Sequence, residues 1–294
     1  MSSNPRNEVS PRIAVAGATG RVGAALVAHL LNDPVDVVAL SRSPNKAQVS
    51  DKVSLATVNF DDPSSLLDAL RGADRLFLAH GTSAQQVVNE IALINAAVAA
   101  GVRHIVKLSV MGPASKLHPF DWHMEIEAHL ARQDIGYTIL RPSSFVDILA
   151  RAGAPVAEGS WGGAAGEGRV NLIDTRDVAD AARVALLDTA FANSQRAYHL
   201  TGPATISMPE VADELTQLLG KTVTYQHRTS EKQRNILIDS GASDLVADVL
   251  LGIDRLFRES VLAETTSTFT DLTGKAPRSA AAWLSENILA FQKT

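Results

Sequence analysis

The stretch Ile13-Ala-Val-Ala-Gly17-Ala-Thr-Gly20-Arg-Val-Gly23 decides how this chain is read. A short apolar strand runs straight into three glycines spaced three apart, and a helical pattern over Arg21–Leu31 follows. Each glycine answers a physical need. Gly17 permits the tight turn out of the strand, Gly20 lets the backbone approach a pyrophosphate, and Gly23 allows the helix to pack closely on the sheet. Free amides at the helix start then face the negative charge. The spacing alone is a weak signal, and the strand before it and the helix after it supply the context that gives it weight. The turn contacts expected for a dinucleotide are Gly17, Thr19, Gly20, Arg21, Val22 and Gly23.

The second strand, Val37-Val-Ala-Leu40, ends in Ser41-Arg-Ser-Pro-Asn-Lys46. A site for NAD normally places Asp or Glu near this point to bind the ribose 2′-hydroxyl. No carboxylate is there. Arg42, with Lys46 and Arg21 as helpers, is suited to a 2′-phosphate, which a guanidinium fork binds well. The expected cofactor is NADP(H).

The 294 residues suffice for one large α/β domain or for a core domain with a smaller appendage. At 46% hydrophobic and 20% charged, the composition is that of a soluble globule. A net charge of −5 without a Lys/Arg run argues against nucleic acid as a partner. With no cysteine there is no disulfide, thiolate nucleophile or cysteine-bound metal. The polar first ten residues hold no signal-peptide core, and no apolar run approaches a membrane span. These features predict a cytoplasmic protein with a small-molecule substrate, as a monomer or homodimer, without metal.

Strand-like runs at 36–41, 54–59, 75–79, 104–109 and 137–141 alternate with helical stretches at 21–31, 63–70, 83–100 and 120–132. This alternation predicts right-handed βαβ units and a Rossmann-type, doubly wound parallel sheet. Ligands on such sheets bind at the carboxyl ends of the strands. That rule adds Asp61, His80, Gly81, Ser109, Pro142, Ser143 and Phe145 to the expected cofactor contacts. The glycine-rich segment 153–168 reads as a loop or small hairpin. A strand at 169–173 and a helix at 175–187 are expected to return to the main sheet. Ser207-Met-Pro-Glu210 has capping-box spacing, so a helix should run to Leu219 and stop at Gly220. A strand at 223–227 and two or three helices should follow, one carrying an apolar stripe over Leu245–Phe257 that reads as core. The expected division is a cofactor domain at 11–150, completed by 169–202, and a smaller, mainly helical substrate-binding region at 203–294, to which the 152–168 loop contributes.

Gly-Ala-Thr-Gly-x-x-Gly, Arg42 closing strand two, Val106-Lys107-Leu108-Ser109 and Ile139-Leu140-Arg141-Pro142 together resemble the NmrA-like branch of the atypical short-chain dehydrogenases/reductases. The similarity runs in order and spacing over residues 12 to 285. That branch includes quinone reductases, triphenylmethane reductase and redox-sensing regulators. Ordinary members of the wider superfamily use a Tyr-x-x-x-Lys pair, which places both side chains on one helix face. Here Tyr137, Tyr198 and Tyr225 are followed four residues later by Arg141, Gly202 and Thr229, so the pair is missing.

With Glu127 aligned to the family's helix glutamate, the resemblance puts His123 at the position of the family's lysine. His123 is then expected to contact the nicotinamide ribose or to donate a proton, with His118 as a second candidate. Ser109 would face the cleft, bonding a substrate oxygen or closing the strand end. The backbone at Ser143 and Ser144 would approach the carboxamide. His29, His104, His129, His199 and His227 read as structural. The function expected is an NADPH-dependent oxidoreductase that reduces a quinone or similar conjugated molecule, because such acceptors need little general-acid help. The alternatives are a non-catalytic NADP(H) sensor and an isomerase or epimerase that recycles its nicotinamide.

Overall fold

The computed structural model describes residues 10–43, 50–113 and 116–292. Lys46 lies outside them. In chain order the elements begin with β1 (Arg12–Ala16), α1 (Arg21–Leu30), β2 (Asp36–Ser41), β3 (Ser54–Thr57), α2 (Pro63–Leu70), β4 (Arg75–Leu78), α3 (Gln86–Ala99), β5 (His104–Leu108), α4 (Phe120–Leu130) and β6 (Gly136–Pro142). They continue with β7 (Ser144–Phe145), α5 (Gly153–Ala157), β8 (Gly162–Gly163), β9 (Arg169–Ile173), α6 (Thr175–Leu187), β10 (Gln195–Leu200), β11 (Thr205–Ser207) and α7 (Met208–Leu219). The last are β12 (Gln226–His227), α8 (Ser230–Asp239), α9 (Asp244–Arg258), α10 (Thr268–Thr273) and α11 (Ala280–Glu286).

The main sheet has the order β10-β6-β5-β4-β1-β2-β3. Every pairing from β3 through β6 is parallel. The bonds from Tyr137 N–H to Ser194 O and from Ser143 N–H to Leu200 O, both 2.8 Å, advance together, so β10 is parallel as well. Parallel strands are covered on both faces, which explains why β1 and β2 are near-continuous apolar runs, with Ile13–Ala16 and Val37–Leu40 all buried. The order reverses direction at β1, leaving a crevice at the carboxyl ends of β1 and β4 where a Rossmann sheet takes its ligand.

The chain divides into two compact units, Met1–Leu108 with Glu125–Leu140 and Ala179–Ala197, and Ser109–Met124 with Arg141–Val178 and Tyr198–Thr294. These bounds differ from the expected cuts at 150 and 203. The helices α4 and α6 each begin in the second unit and end in the first, so no single cut of the sequence describes the division.

In the first unit, Leu66 and Leu70 of α2, Leu93 and Ile94 of α3, and Ile126 and Leu130 of α4 share a core with Leu76, Leu78, Ile105 and Ile139 of the sheet. Each such side chain contributes about 1.5–3 kcal/mol on full burial. Within this unit Lys107 and Glu90 are both 0% exposed, with Nζ 2.8 Å from Oε2. Gln86 Nε2 donates to the other carboxylate oxygen at 3.0 Å. Losing one partner of such a pair costs about 3–5 kcal/mol, because the remaining charge stays buried alone.

In the second unit, β9 does not return to the main sheet as expected. It lies between β11 and β7 in a separate three-stranded sheet. Pro142, which has no N–H to donate, is the last residue of β6, and two residues later Ser144 and Phe145 pair with Leu172 and Ile173. The glycine-rich segment is not a hairpin either. It forms α5 and then β8, which pairs in parallel with β12, and only Gln226–His227 of the expected strand 223–227 is paired. The capping box forms as read, with Ser207 Oγ accepting from Glu210 N–H and Glu210 Oε2 from Ser207 N–H, and Gly220 closes α7 in the left-handed conformation. Among the described residues four helices, α8 to α11, follow rather than two or three. The stripe on α9 is core only at its far end, where Leu256 and Phe257 are buried, while Leu245 and Val246 are exposed.

His104, read as structural, is 1% exposed, and its Nε2 lies 3.0 Å from Thr138 Oγ1. Burial, reinforced by Arg75, pulls its pKa down to about 4 from the usual 6.5. The unfolded chain therefore binds the proton that the folded chain refuses, and stability rises with pH between these values. The contribution is whole above pH 6.5 and falls away toward pH 4, by roughly 3 kcal/mol at most. Urea denaturation at pH 7 and pH 5 should show this loss in the parent and a smaller one in His104→Gln.

Candidate functional site

The crevice at the carboxyl ends of β1 and β4 is built entirely from the first unit. It encloses about 420 Å³ and is lined by Ala16, Gly17, Thr19 and Gly20, by Leu40 to Ser43, by Val58 and Phe60, by Ala79 to Gly81, and by Leu93. That volume lies within the usual range of small-molecule sites.

Its floor follows from the glycines. Gly17 has φ +76°, and a Cβ there would stand 2.9 Å from the carbonyl oxygen of Ala79. A Cβ on Gly23 would stand 2.1 Å from the Gly17 oxygen, so only glycine lets α1 start against the turn. Gly20 N–H bonds Gly17 O at 2.9 Å and closes that turn. No side chain caps α1, and its first turn carries no acid. Arg21, Val22 and Gly23 therefore form a first turn whose dipole favours an anion.

At the end of β2, Arg42 is exposed, and no described residue pairs with its guanidinium. Of the strand-end candidates, His80 and Gly81 line the crevice. Asp61 is exposed beside it, its N–H bonded to Asn59 Oδ1 at 3.1 Å, while its neighbour Phe60 is in the wall. Phe60 meets His80 edge to face, with centroids 6.1 Å apart. The strand-end rule had singled out the charged residue of this segment. The apolar wall of Leu40, Val58, Phe60 and Leu93 was missed, since each reads as ordinary strand or helix core. The cradle, the guanidinium and the apolar wall fit an adenine dinucleotide bearing a 2′-phosphate.

The remaining expected residues belong to the second unit. Ser109 is buried at the end of β5. His123 is half-buried in the first turn of α4, with its N–H bonded to Pro119 O at 3.1 Å. His118 is committed locally, with Nδ1 2.7 Å from Asp121 Oδ1 and its ring stacked on Trp122. Pro142 is buried and Phe145 half-buried in β7. Ser143 spends both of its donors within the unit, its N–H on Leu200 O at 2.8 Å and its hydroxyl on Asn171 Oδ1 at 3.1 Å.

Comparison with known proteins bears on this geometry. Residues 17–189 match the NAD(P)H-binding family. The chain is 31% identical over 269 residues to quinone oxidoreductase 2 of Escherichia coli, covering 89% of this chain and 93% of that one. It is 31% identical over 284 residues to the NAD(P)H azoreductase of Xenophilus azovorans, covering 95% and 99%. Among solved structures, the E. coli NADPH-dependent quinone oxidoreductase in complex with NADPH superposes with a TM-score of 0.87 at 29% identity, over 94% of this chain and 99% of that one. The Citrobacter triphenylmethane reductase in complex with NADP(H) gives 0.83 at 26%, over 93% and 99%.

Two glycines separate a steric requirement from a ligand requirement. Gly23→Ala must displace backbone, and it should lower NADPH affinity at least about tenfold and cost about 1–3 kcal/mol of stability. A Cβ on Gly81 meets no atom within 4 Å. Gly81→Ala should keep stability within about 0.5 kcal/mol, so any affinity it loses reports contact with the nucleotide. Fluorescence titration with NADPH beside urea denaturation reads both.

Proposed function

We propose, for a chain that belongs to the NAD(P)H-binding family and to its NmrA-like atypical short-chain dehydrogenase/reductase branch, the reduction of a quinone or similar conjugated small molecule. The protein is an NADPH-dependent oxidoreductase, and its cofactor is NADP(H). Among the described residues no helix is long and apolar enough to cross a membrane.

The observation that carries the acceptor class is the missing Tyr-x-x-x-Lys pair beside an otherwise complete cofactor cradle. The bound cofactor supplies a hydride, and the protein's own contribution is to hold the acceptor close and aligned. A plain ketone also needs a proton delivered to its oxygen as the hydride arrives. A quinone spreads the incoming charge over its conjugated system and needs far less help. Quinone, azo and triphenylmethane groups, for which the relatives are named, share that delocalised character.

The residues divide the work. Arg42 takes the 2′-phosphate, the Gly17–Gly23 turn takes the pyrophosphate, and Ser109 and His123 serve the nicotinamide end. His123 contacts the ribose or lends a proton to the reduced acceptor, for which an imidazole is suited near neutral pH.

Turnover of NADPH is expected across a panel of quinones and azo dyes, and tight NADPH binding without turnover of any acceptor would replace this reading with a non-catalytic sensor. Arg42→Ala should weaken NADPH by about 1.5–3 kcal/mol, the worth of a charge-assisted contact, while leaving NADH unchanged. Calorimetry with both nucleotides measures the difference. His123→Ala should slow the chemical step by about 10²–10⁴-fold if the imidazole is the proton donor. It should weaken NADPH by about 0.5–1.5 kcal/mol if it binds the ribose. Parent values for both in a folded variant would make His123 structural.

A further inference from the structure

Helix α3 buries a face whose character changes along its length. Leu93, Ile94 and Ala97 are the expected apolar stripe, yet one and two turns earlier the same face carries Gln86, Asn89 and Glu90, which are 1%, 8% and 0% exposed. Gln86 and Glu90 are explained by Lys107. Asn89 is not part of that cluster. Its amide nitrogen lies 3.0 Å from Nε2 of His80, in the crevice wall.

The chemistry of His80 follows from its two neighbours. Nδ1 is 2.6 Å from the carbonyl oxygen of Gly81. A carbonyl only accepts, so Nδ1 carries a proton. The Asn89 amide nitrogen only donates, so Nε2 offers a lone pair. Both nitrogens are thereby engaged, an arrangement that suits the Nδ1–H tautomer of His80. What the ring can offer the crevice is its carbon surface, set edge to face against Phe60 and followed by Val58 and Leu93.

We infer that Asn89 is a positioning residue of the nucleotide site, holding His80 in one tautomer and orientation so that its ring and Phe60, meeting edge to face, present carbon surface to the nucleotide's base. This rests on the assignment of the crevice to NADP(H). Without the amide, Nε2 loses its donor, the ring is free to turn or to exchange its proton, and a polar edge replaces the wall. The Asn89 amide is itself buried, so leaving it without His80 as acceptor costs free energy, which favours the paired arrangement.

The test uses the full-length protein labelled with ¹⁵N-histidine, and two probes, NADPH and adenosine 2′,5′-bisphosphate, the latter reading the adenosine half alone. Long-range ¹H–¹⁵N spectra of the free protein should show His80 as the Nδ1–H tautomer, and Asn89→Leu should abolish that pattern. Asn89→Leu should also weaken both probes about three- to tenfold, the worth of one net hydrogen bond. In a His80→Phe background, where the ring needs no orienting donor, Asn89→Leu should cost nothing further. An Nε2–H or doubly protonated His80 in the parent overturns the inference, as does an equal loss from Asn89→Leu in both backgrounds. Indifference of both probes to Asn89→Leu and His80→Ala, with Arg42→Ala still weakening them, overturns the positioning role alone. Indifference to all three variants overturns it together with the assignment of the crevice.

Discussion

A single backbone contact, the Gly17 carbonyl against the Cα of Gly23, organises the molecule. No side chain fits between them, since a Cβ on Gly23 would stand 2.1 Å from that oxygen. The contact sets the first turn of α1 directly behind the end of β1. It also leaves that turn without a side-chain cap, a feature commonly worth about 1 kcal/mol, and without an acid. An ordinary helix would fill this place with Ser or Asp. Leaving it open trades a little stability for a helix start that favours an anion, beside the crevice that the neighbouring strand ends line.

Helix α3 does two jobs on one face. Its second half supplies core, and its first half supplies the carboxylate that neutralises Lys107 and the amide that holds His80. The buried ion pair is expensive to form, and such pairs often add little net stability over a hydrophobic replacement. Its evident effect is to lock α3 against β5 in one register, which also places Asn89 under the crevice wall. Structural polarity and site polarity are therefore continuous along the first turns of α3.

The chemistry that emerges is economical in protons. His80 has no nitrogen to spare, His118 is tied to Asp121, and Ser143 has spent its donors within its own unit. Of the two proton-donor candidates, the proposal assigns the role to His123 rather than to His118. A reductase so furnished works by holding its acceptor in place. The proposed acceptors, which stabilise their own developing charge, suit such a site.

The main sheet was legible because its signals are local. Parallel strands covered on both faces leave contiguous apolar runs, and turn residues end them, so β1 to β6 fall close to where the sequence puts them. The glycine turn, the Pro63 start of α2 and the Ser207 capping box are likewise written in a few adjacent residues. The missing Tyr-Lys pair and the lone Arg42 could be read in the same way. The pairing of β9 could not, because Val170–Ile173 reads like a main-sheet strand and its parallel partner, Ser144–Phe145, lies far from it in the chain. The stripe on α9 told which face is apolar and nothing of what covers it, so Leu245 and Val246 were misplaced. Asn89 left a trace, a polar break at helical spacing in the buried stripe of α3, but its partner His80 is joined to it only in space. The sequence by itself determined the elements, the cofactor and the loss of the usual acid, since each depends on neighbouring residues. The tertiary structure decided which strands pair, which face is covered and which side chain meets His80, because each depends on a group distant in the chain.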